Sequence, residues 1–127
     1  MARAVAEGVR EVEGVEVEVK EYETPQKLEE YDAIIIGAPT YHRSMTNSIK
    51  SFLEEAAFHK VNLVNKIGAA FGSYGWSGEA PRLALEVLEN VFKMNVVKPP
   101  VLIKYTPDIQ GLNECNKFGK QIAEQVS

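Results

Sequence analysis

Lys66-Ile67-Gly68-Ala69-Ala70-Phe71-Gly72-Ser73-Tyr74-Gly75-Trp76-Ser77-Gly78-Glu79-Ala80 is the stretch whose reading decides the fold. Residues 66–71 form an apolar run of strand length. They lead into a loop with glycines at positions 72, 75 and 78, and a helix-patterned segment follows at once. Glycine opens backbone conformations closed to other residues and lets main-chain N–H groups approach a ligand closely. Tyr74 and Trp76 stand between the glycines, two large flat rings that gain most when they cover a partner. Open α/β sheets bind ligands at the carboxyl ends of their strands. The loop therefore reads as one wall of a site for a flat, polar aromatic ring, against the alternative of a Gly-rich turn whose rings pack inward.

Upstream, Asp32-Ala33-Ile34-Ile35-Ile36-Gly37 is an unbroken apolar run bounded by polar and glycine residues. Such a run predicts a central parallel strand covered on both faces. Ala38-Pro39-Thr40-Tyr41-His42-Arg43-Ser44 leaves its carboxyl end as a second loop. Met45, Ile49, Phe52, Leu53 and Ala56 then stripe a helix, with Lys50, Glu54 and Glu55 outside.

Further out, Val5, Val9 and Val12, beside Ala4 and Gly8, mark one face of an N-terminal helix that Gly14 is expected to end. Val15, Val17 and Val19 alternate with Glu16, Glu18 and Lys20, which predicts an edge strand with one wet face. Thr24-Pro25 opens a short or irregular helix over 26–31, anchored by Leu28. After the central loop, Ser77 or Gly78 is expected to cap a helix with Pro81 in its first turn and Ala84, Val87, Leu88, Val91 and Phe92 inside. Pro99-Pro100 introduces a last strand over 101–104. Leu112, Cys115, Phe118, Ile122 and Val126 stripe a final helix. Alternating helices and strands imply a three-layer α/β fold, a parallel sheet with helices on both faces. All 127 residues read as a single domain.

The composition bounds the partners. With 45% hydrophobic and 25% charged residues the chain is an ordinary globule, and a net charge of −4 argues against nucleic acid. No apolar run reaches the ~20 residues of a membrane span. The one cysteine, Cys115, forms no internal disulfide, which fits a cytoplasmic setting. Its helical spacing from Leu112 and Phe118 makes it a core residue rather than a nucleophile. His59 with Lys60 reads as a helix close, and the acidic residues of 11–18 as solvated surface. No metal cluster, Ser-His-Asp arrangement or P-loop is visible.

Gly37-Ala38-Pro39-Thr40-Tyr41 and the string from Gly68 through Ala80 together make the chain similar to the flavodoxin superfamily, and most closely to the flavodoxin-like domain of flavodiiron proteins. The resemblance implies a flavodoxin-like fold, FMN as cofactor and electron transfer as function. Backbone groups around Pro39, Thr40 and Tyr41 would line the ribityl chain and one flank of the flavin ring; His42 would hydrogen-bond near the ring, against the alternative of a solvated loop histidine. Ser73, Tyr74, Gly75, Trp76 and Gly78 would supply the other flank and contact the pyrimidine edge. The implied partners are a reductase or rubredoxin-like donor and a di-iron module. The His-x-Glu-x-Asp run of that metal module does not occur in these residues.

Relative to the family domain, the resemblance lacks a first strand and the loop that wraps the FMN phosphate, so Met1 reads as a position inside the family's first helix. Three charge-assisted hydrogen bonds at about 1.5 kcal/mol each amount to roughly a thousandfold in affinity, so the expected FMN binding is weak. The edge strand at 15–20 is then expected to pair directly with 33–37, or with another copy in a strand-exchanged homodimer. The alternative function is a flavin-free interaction or assembly module of the same fold. An NAD(P)H-dependent flavin reductase ranks third, since nothing reads as a nicotinamide site.

Overall fold

A computed structural model describes residues 1–20, 24–38, 47–74, 79–104 and 108–126. Helix α1 (Ala2–Arg10) comes first, and a 3-10 segment (Pro25–Glu30) precedes strand β1 (Ala33–Gly37). Helix α2 (Asn47–Phe58), strand β2 (Ile67–Tyr74) and helix α3 (Glu79–Asn90) follow, then the two-residue strand β3 (Asn95–Val96), strand β4 (Val101–Lys104) and helix α4 (Ile109–Val126). The strands are parallel. β2 is the hub: β1 pairs along one side of it, β3 along the start of the other side and β4 along its end.

The unbroken apolar runs of β1 and β2 are explained by what lies on each face. Ile34, Ile36 and Ala70 point into one cluster with Leu53 and Ala56 of α2 and Ala84, Leu85 and Leu88 of α3. Ala69 and Phe71 point into a second cluster with Val5 of α1 and Cys115, Phe118 and Ile122 of α4, and Ala33 and Ile35 pack against it. The period-2 alternation of side chains thus divides two cores between two pairs of helices. This is the three-layer architecture expected.

α1 and α4 lie unusually close. A Cβ built on Gly8 would sit 1.9 Å from the Asn116 carbonyl oxygen, and one on Gly119 would sit 2.0 Å from the Val5 carbonyl oxygen. Only hydrogen atoms fit there, so the crossing depends on glycine at both positions. α4 itself starts at Asp108, whose Oδ1 accepts the Gly111 N–H at 2.8 Å. That is an N-cap bond satisfying one of the open amides of the first turn. Among the described residues no helix is long and apolar enough to cross a membrane.

Several expectations are corrected. Residues 15–20 carry no strand and do not pair with 33–37. Val15 and Val17 are half-buried, Val19 is 54% exposed, and the Glu18 carboxylate accepts the Tyr31 hydroxyl. Valine–glutamate alternation supplies strand propensity but no partner. α1 ends at Glu11 in a right-handed conformation, and Gly14, with φ +84°, serves the turn beyond. α3 stops at Asn90, leaving Val91 54% exposed, while Leu85 takes the inward position; in α4 Leu112 is exposed rather than on the inward stripe, and Gly111 is buried in the first turn instead. β2 continues through Gly72, Ser73 and Tyr74 because β4 offers those residues a ladder, Phe71↔Val101 to Tyr74↔Lys104. The capping positions Ser77 and Gly78 lie outside the described residues.

Candidate functional site

Parallel pairing places the carboxyl ends of β1, β2 and β4 on one side of the sheet. β1 and β2 finish side by side: the Ala38 N–H donates to the Phe71 carbonyl at 2.8 Å, and Ala38 is fully buried. One residue further along, Gly72 brings three segments together. A Cβ there would lie 2.2 Å from the Ala38 carbonyl oxygen and 2.8 Å from Pro81 Cγ in the first turn of α3. The end of β1, the end of β2 and the start of α3 therefore meet around a position where any side chain would force them apart. Gly37 is equally constrained on the opposite face, where a Cβ would meet the Phe71 ring at 2.8 Å.

Of the residues singled out from sequence, Ser73 is half-buried in β2 opposite Ile103, and the backbone of Tyr74 ends the strand opposite Lys104. Pro39, Thr40, Tyr41, His42, Gly75, Trp76 and Gly78 lie outside the described residues. The chain segments that bear them depart from Ala38 and Tyr74, at the ends of two hydrogen-bonded neighbours. Gly37, Gly72 and Pro81 are additions that the sequence reading did not assign to the site. Their signal was present, since glycine at a strand end marks close backbone approach. The contact partners that give it meaning come from three separate stretches.

Glu79 opens α3, where a carboxylate complements the positive end of the helix. Cys115 faces the α1–α4 core at the opposite surface of the sheet, and burial pushes its thiol pKa up, so it stays protonated at neutral pH. His59 lies just past the end of α2 with its ring edge-on to Phe58 at 5.3 Å. Neither lies at the carboxyl ends of β1 and β2.

The flavodoxin family profile matches residues 1–119. The chain belongs to the flavodoxin family. It is 35% identical over its whole length to the type A flavoprotein fprA of Rhodobacter capsulatus, of which it spans 30%. It is 32% identical over 98% of its length to the anaerobic nitric oxide reductase flavorubredoxin of Aeromonas hydrophila, of which it spans 26%. The chain thus spans about a third or less of these curated relatives. Among solved structures it superposes on a flavodoxin from the domain Archaea with a TM-score of 0.89 and 36% identity, covering 98% of this chain and 86% of that one. It superposes on the rubredoxin oxygen:oxidoreductase of Desulfovibrio gigas with a TM-score of 0.85 and 27% identity, covering 98% of this chain and 32% of the oxidoreductase. The flavodoxin-like fold and the kinship with flavodiiron proteins expected from the two loops are both established by these matches.

Proposed function

We propose that this flavodoxin-family chain binds FMN at the carboxyl ends of β1 and β2 and serves as an electron-transfer module of flavodiiron type. It would pass electrons from a reductase or rubredoxin-like donor to a metal acceptor. The observation that carries the reading is the convergence at Gly72, which holds the departures of the 39–42 and 75–78 segments on adjacent strands. Gly72 lets the ends of β1 and β2 and the start of α3 pack without a side chain between them, and Ser73 is half-buried beside them.

When bound, FMN supplies a centre that holds one or two electrons. The chain's contribution is binding and tuning. Tyr41, Tyr74 and Trp76 offer rings for the faces of the flavin, each worth about 0.5–1.5 kcal/mol beyond area burial. Backbone N–H groups around Thr40, Gly75 and Gly78 would offer donors for its polar edge, with Pro39 and His42 as further candidate contacts in the segment after β1. Contacts held in place by the two strand ends would set how readily the ring accepts an electron.

FMN fluorescence titration tests the proposal. Quenching at micromolar protein is expected, with Trp76→Ala weakening binding about 2- to 13-fold through the lost stacking and His59→Ala leaving it unchanged. Equal effects of the two substitutions would show that the site is misplaced. A complete lack of quenching by the unsubstituted chain would favour a flavin-free interaction module.

A further inference from the structure

The amino ends of the strands carry a second surface, remote from the flavin segments. α2 and α3 run back along the sheet, so both finish where β2 and β3 begin. At about 3.3 Å of rise per residue, Ile67 lies about 23 Å from Tyr74 along β2. The loops that follow the two helices are joined there. The Asn65 N–H donates to the Lys93 carbonyl at 3.1 Å, and the Asn95 N–H donates to the Lys66 carbonyl at 2.9 Å. Among the described residues six large hydrophobic side chains are exposed, and three of them stand at this end: Phe58 at 80%, Val64 at 54% and Val91 at 54%. Val64 and Val91 flank the Asn65–Lys93 bond, and Phe58 closes α2. Single exposed apolar residues are ordinary, whereas a group of them marks an interaction surface.

The backbone at this end is left-handed in three places. Lys60 (φ +55°), Asn65 (φ +67°) and Lys93 (φ +57°) are the non-glycine residues with positive φ among those described. Lys60 sits where a helix commonly ends on glycine: its N–H donates to the Ala57 carbonyl at 3.1 Å, and the Val61 N–H donates to the Ala56 carbonyl at 3.0 Å. Lys93 follows α3 in the same conformation. Glycine would adopt it without strain. A cation does favour the negative end of a helix. A lysine in the last turn would serve that end with ordinary backbone, yet neither α2 nor α3 has a basic residue there. Strained residues that the fold does not require point to function.

Charge says what would fit. Residues 57–66 and 91–98 hold four lysines and no Asp or Glu; the chain's net charge is −4, so the remainder carries −8. Two of the four are engaged, Lys66 Nζ with the Tyr31 carbonyl at 2.6 Å and Lys98 with Glu89 at 2.8 Å. Glu29, which reaches the same end, accepts the Asn62 N–H at 2.9 Å, and Glu54 and Glu55 lie one turn back on α2. Lys60 and Lys93 are exposed, with no ion-pair partner among the described residues. We propose that the face formed by Phe58, Val64 and Val91, with Lys60 and Lys93 beside them, docks a protein segment that is acidic around an apolar centre. Phe58 supplies the aromatic anchor and the two lysines the charge complement. An anionic membrane fits less well, because an extended surface also meets the remainder at −8 and is repelled by it. Docking here is independent of flavin.

The test uses the full chain without added flavin and a synthetic peptide, Glu-Leu-Leu-Glu-Glu-Phe-Leu-Glu-Glu, with binding followed by NMR. Amide shifts are expected at 58–65 and 91–95 and not at Gly72 or Ser73. The same peptide with lysine in place of each glutamate should bind roughly tenfold more weakly or worse. Phe58→Ala, at an exposed side chain, should weaken binding roughly tenfold and leave the fold intact. Lys60→Gly combined with Lys93→Gly should weaken binding by a similar factor and yet melt no lower than the parent, because glycine takes the left-handed backbone freely. Lys60→Gln with Lys93→Gln removes the charge alone and gives the same binding reading if the glycine pair does not fold. Absence of binding, equal binding of the basic peptide or by a folded variant, or shifts centred on Gly72 and Ser73 overturns the proposal. So does a glycine pair that melts well below the parent, since the lysines would then serve their own helices. Co-sedimentation with phosphatidylserine vesicles but no peptide binding would assign the face to a membrane instead.

Discussion

Gly8→Ala is the substitution that most sharply tests the packing of this molecule. On an exposed helix the change stabilises by about 1 kcal/mol, because alanine loses less conformational freedom. At Gly8 the new methyl would sit 1.9 Å from the Asn116 carbonyl oxygen, and ordinary contact begins near 3.4 Å, so α1 must retreat by about 1.5 Å. The obstacle is backbone on the facing helix and has no rotamer to yield. A gap of 0.5–1 Å already forfeits roughly a quarter to a half of the dispersion well for every atom pair along the seam. Overpacking of this kind costs up to about 3 kcal/mol. Set against the propensity gain, the net loss is about 2 kcal/mol. For a chain of this length that lowers Tm by roughly 6–10 °C. Urea and thermal unfolding followed by circular dichroism would measure it. Gly14→Ala is the matched reference: a Cβ there meets nothing within 4 Å, but φ is +84°, so its cost of about 1–2 kcal/mol is conformational. A Gly8→Ala protein as stable as the parent, or more so, would refute the close crossing.

Leu88→Ala, at a side chain 1% exposed, should cost about 2–5 kcal/mol in urea unfolding. Val91→Ala, which the helical stripe alone would rank beside it, should stay within about 0.5 kcal/mol. Asp108→Ala should lose about 1 kcal/mol by removing the cap on Gly111, and Asp108→Asn should retain most of it; equal losses in thermal melts would argue against the cap. The Cys115 thiol pKa is raised by burial above its ordinary 9.0, with the nearby N-terminal amine opposing and Glu114 adding to the rise. The folded state therefore disfavours the thiolate: this contribution to stability is full below the unfolded pKa and declines as pH rises through and beyond it. Melts of the parent and Cys115→Ala proteins should keep a constant difference up to about pH 8 and diverge above about pH 9. A thiol reagent should label Cys115 at neutral pH only on unfolding; rapid labelling of the native protein would contradict its burial.

Sequence made the two apolar strands and most of the helical stripes readable because each is dictated by its own residues, but not the central place expected for 33–37, since among the described residues β1 lies at the sheet edge with β2 as its strand neighbour. Ile34, Ile35 and Ile36 announce a strand covered twice, and Cys115, Phe118 and Ile122 announce one face of α4. What it could not supply were partners. Residues 15–20 have the composition of a strand, yet a strand exists only where a second one accepts its hydrogen bonds. Gly72, Ser73 and Tyr74 look like loop, yet β4 draws them into the sheet. β3 is two residues long and offers no periodicity at all. Val91 falls outside the core because α3 ends at Asn90, and Leu85 enters it beside Ala84 and Leu88. At the site, the Gly72 string was visible as glycine-rich, but its contacts with Ala38 and Pro81 join positions far apart in sequence.

The glycine seam between α1 and α4 has a bearing on how the chain comes off the ribosome. Ala4 and Asn116, which face each other across it, are 112 positions apart. At translation rates of about 5–20 residues per second, the N-terminal helix waits roughly 6–22 s before its docking surface has been made. During that interval Val5 and Val9 have no permanent cover, and one whole side of the nascent sheet lacks its outer layer. Docking of this layer is thus gated by the synthesis of α4, and a nascent-chain holdase would find its longest-lived target in this part of the chain at α1.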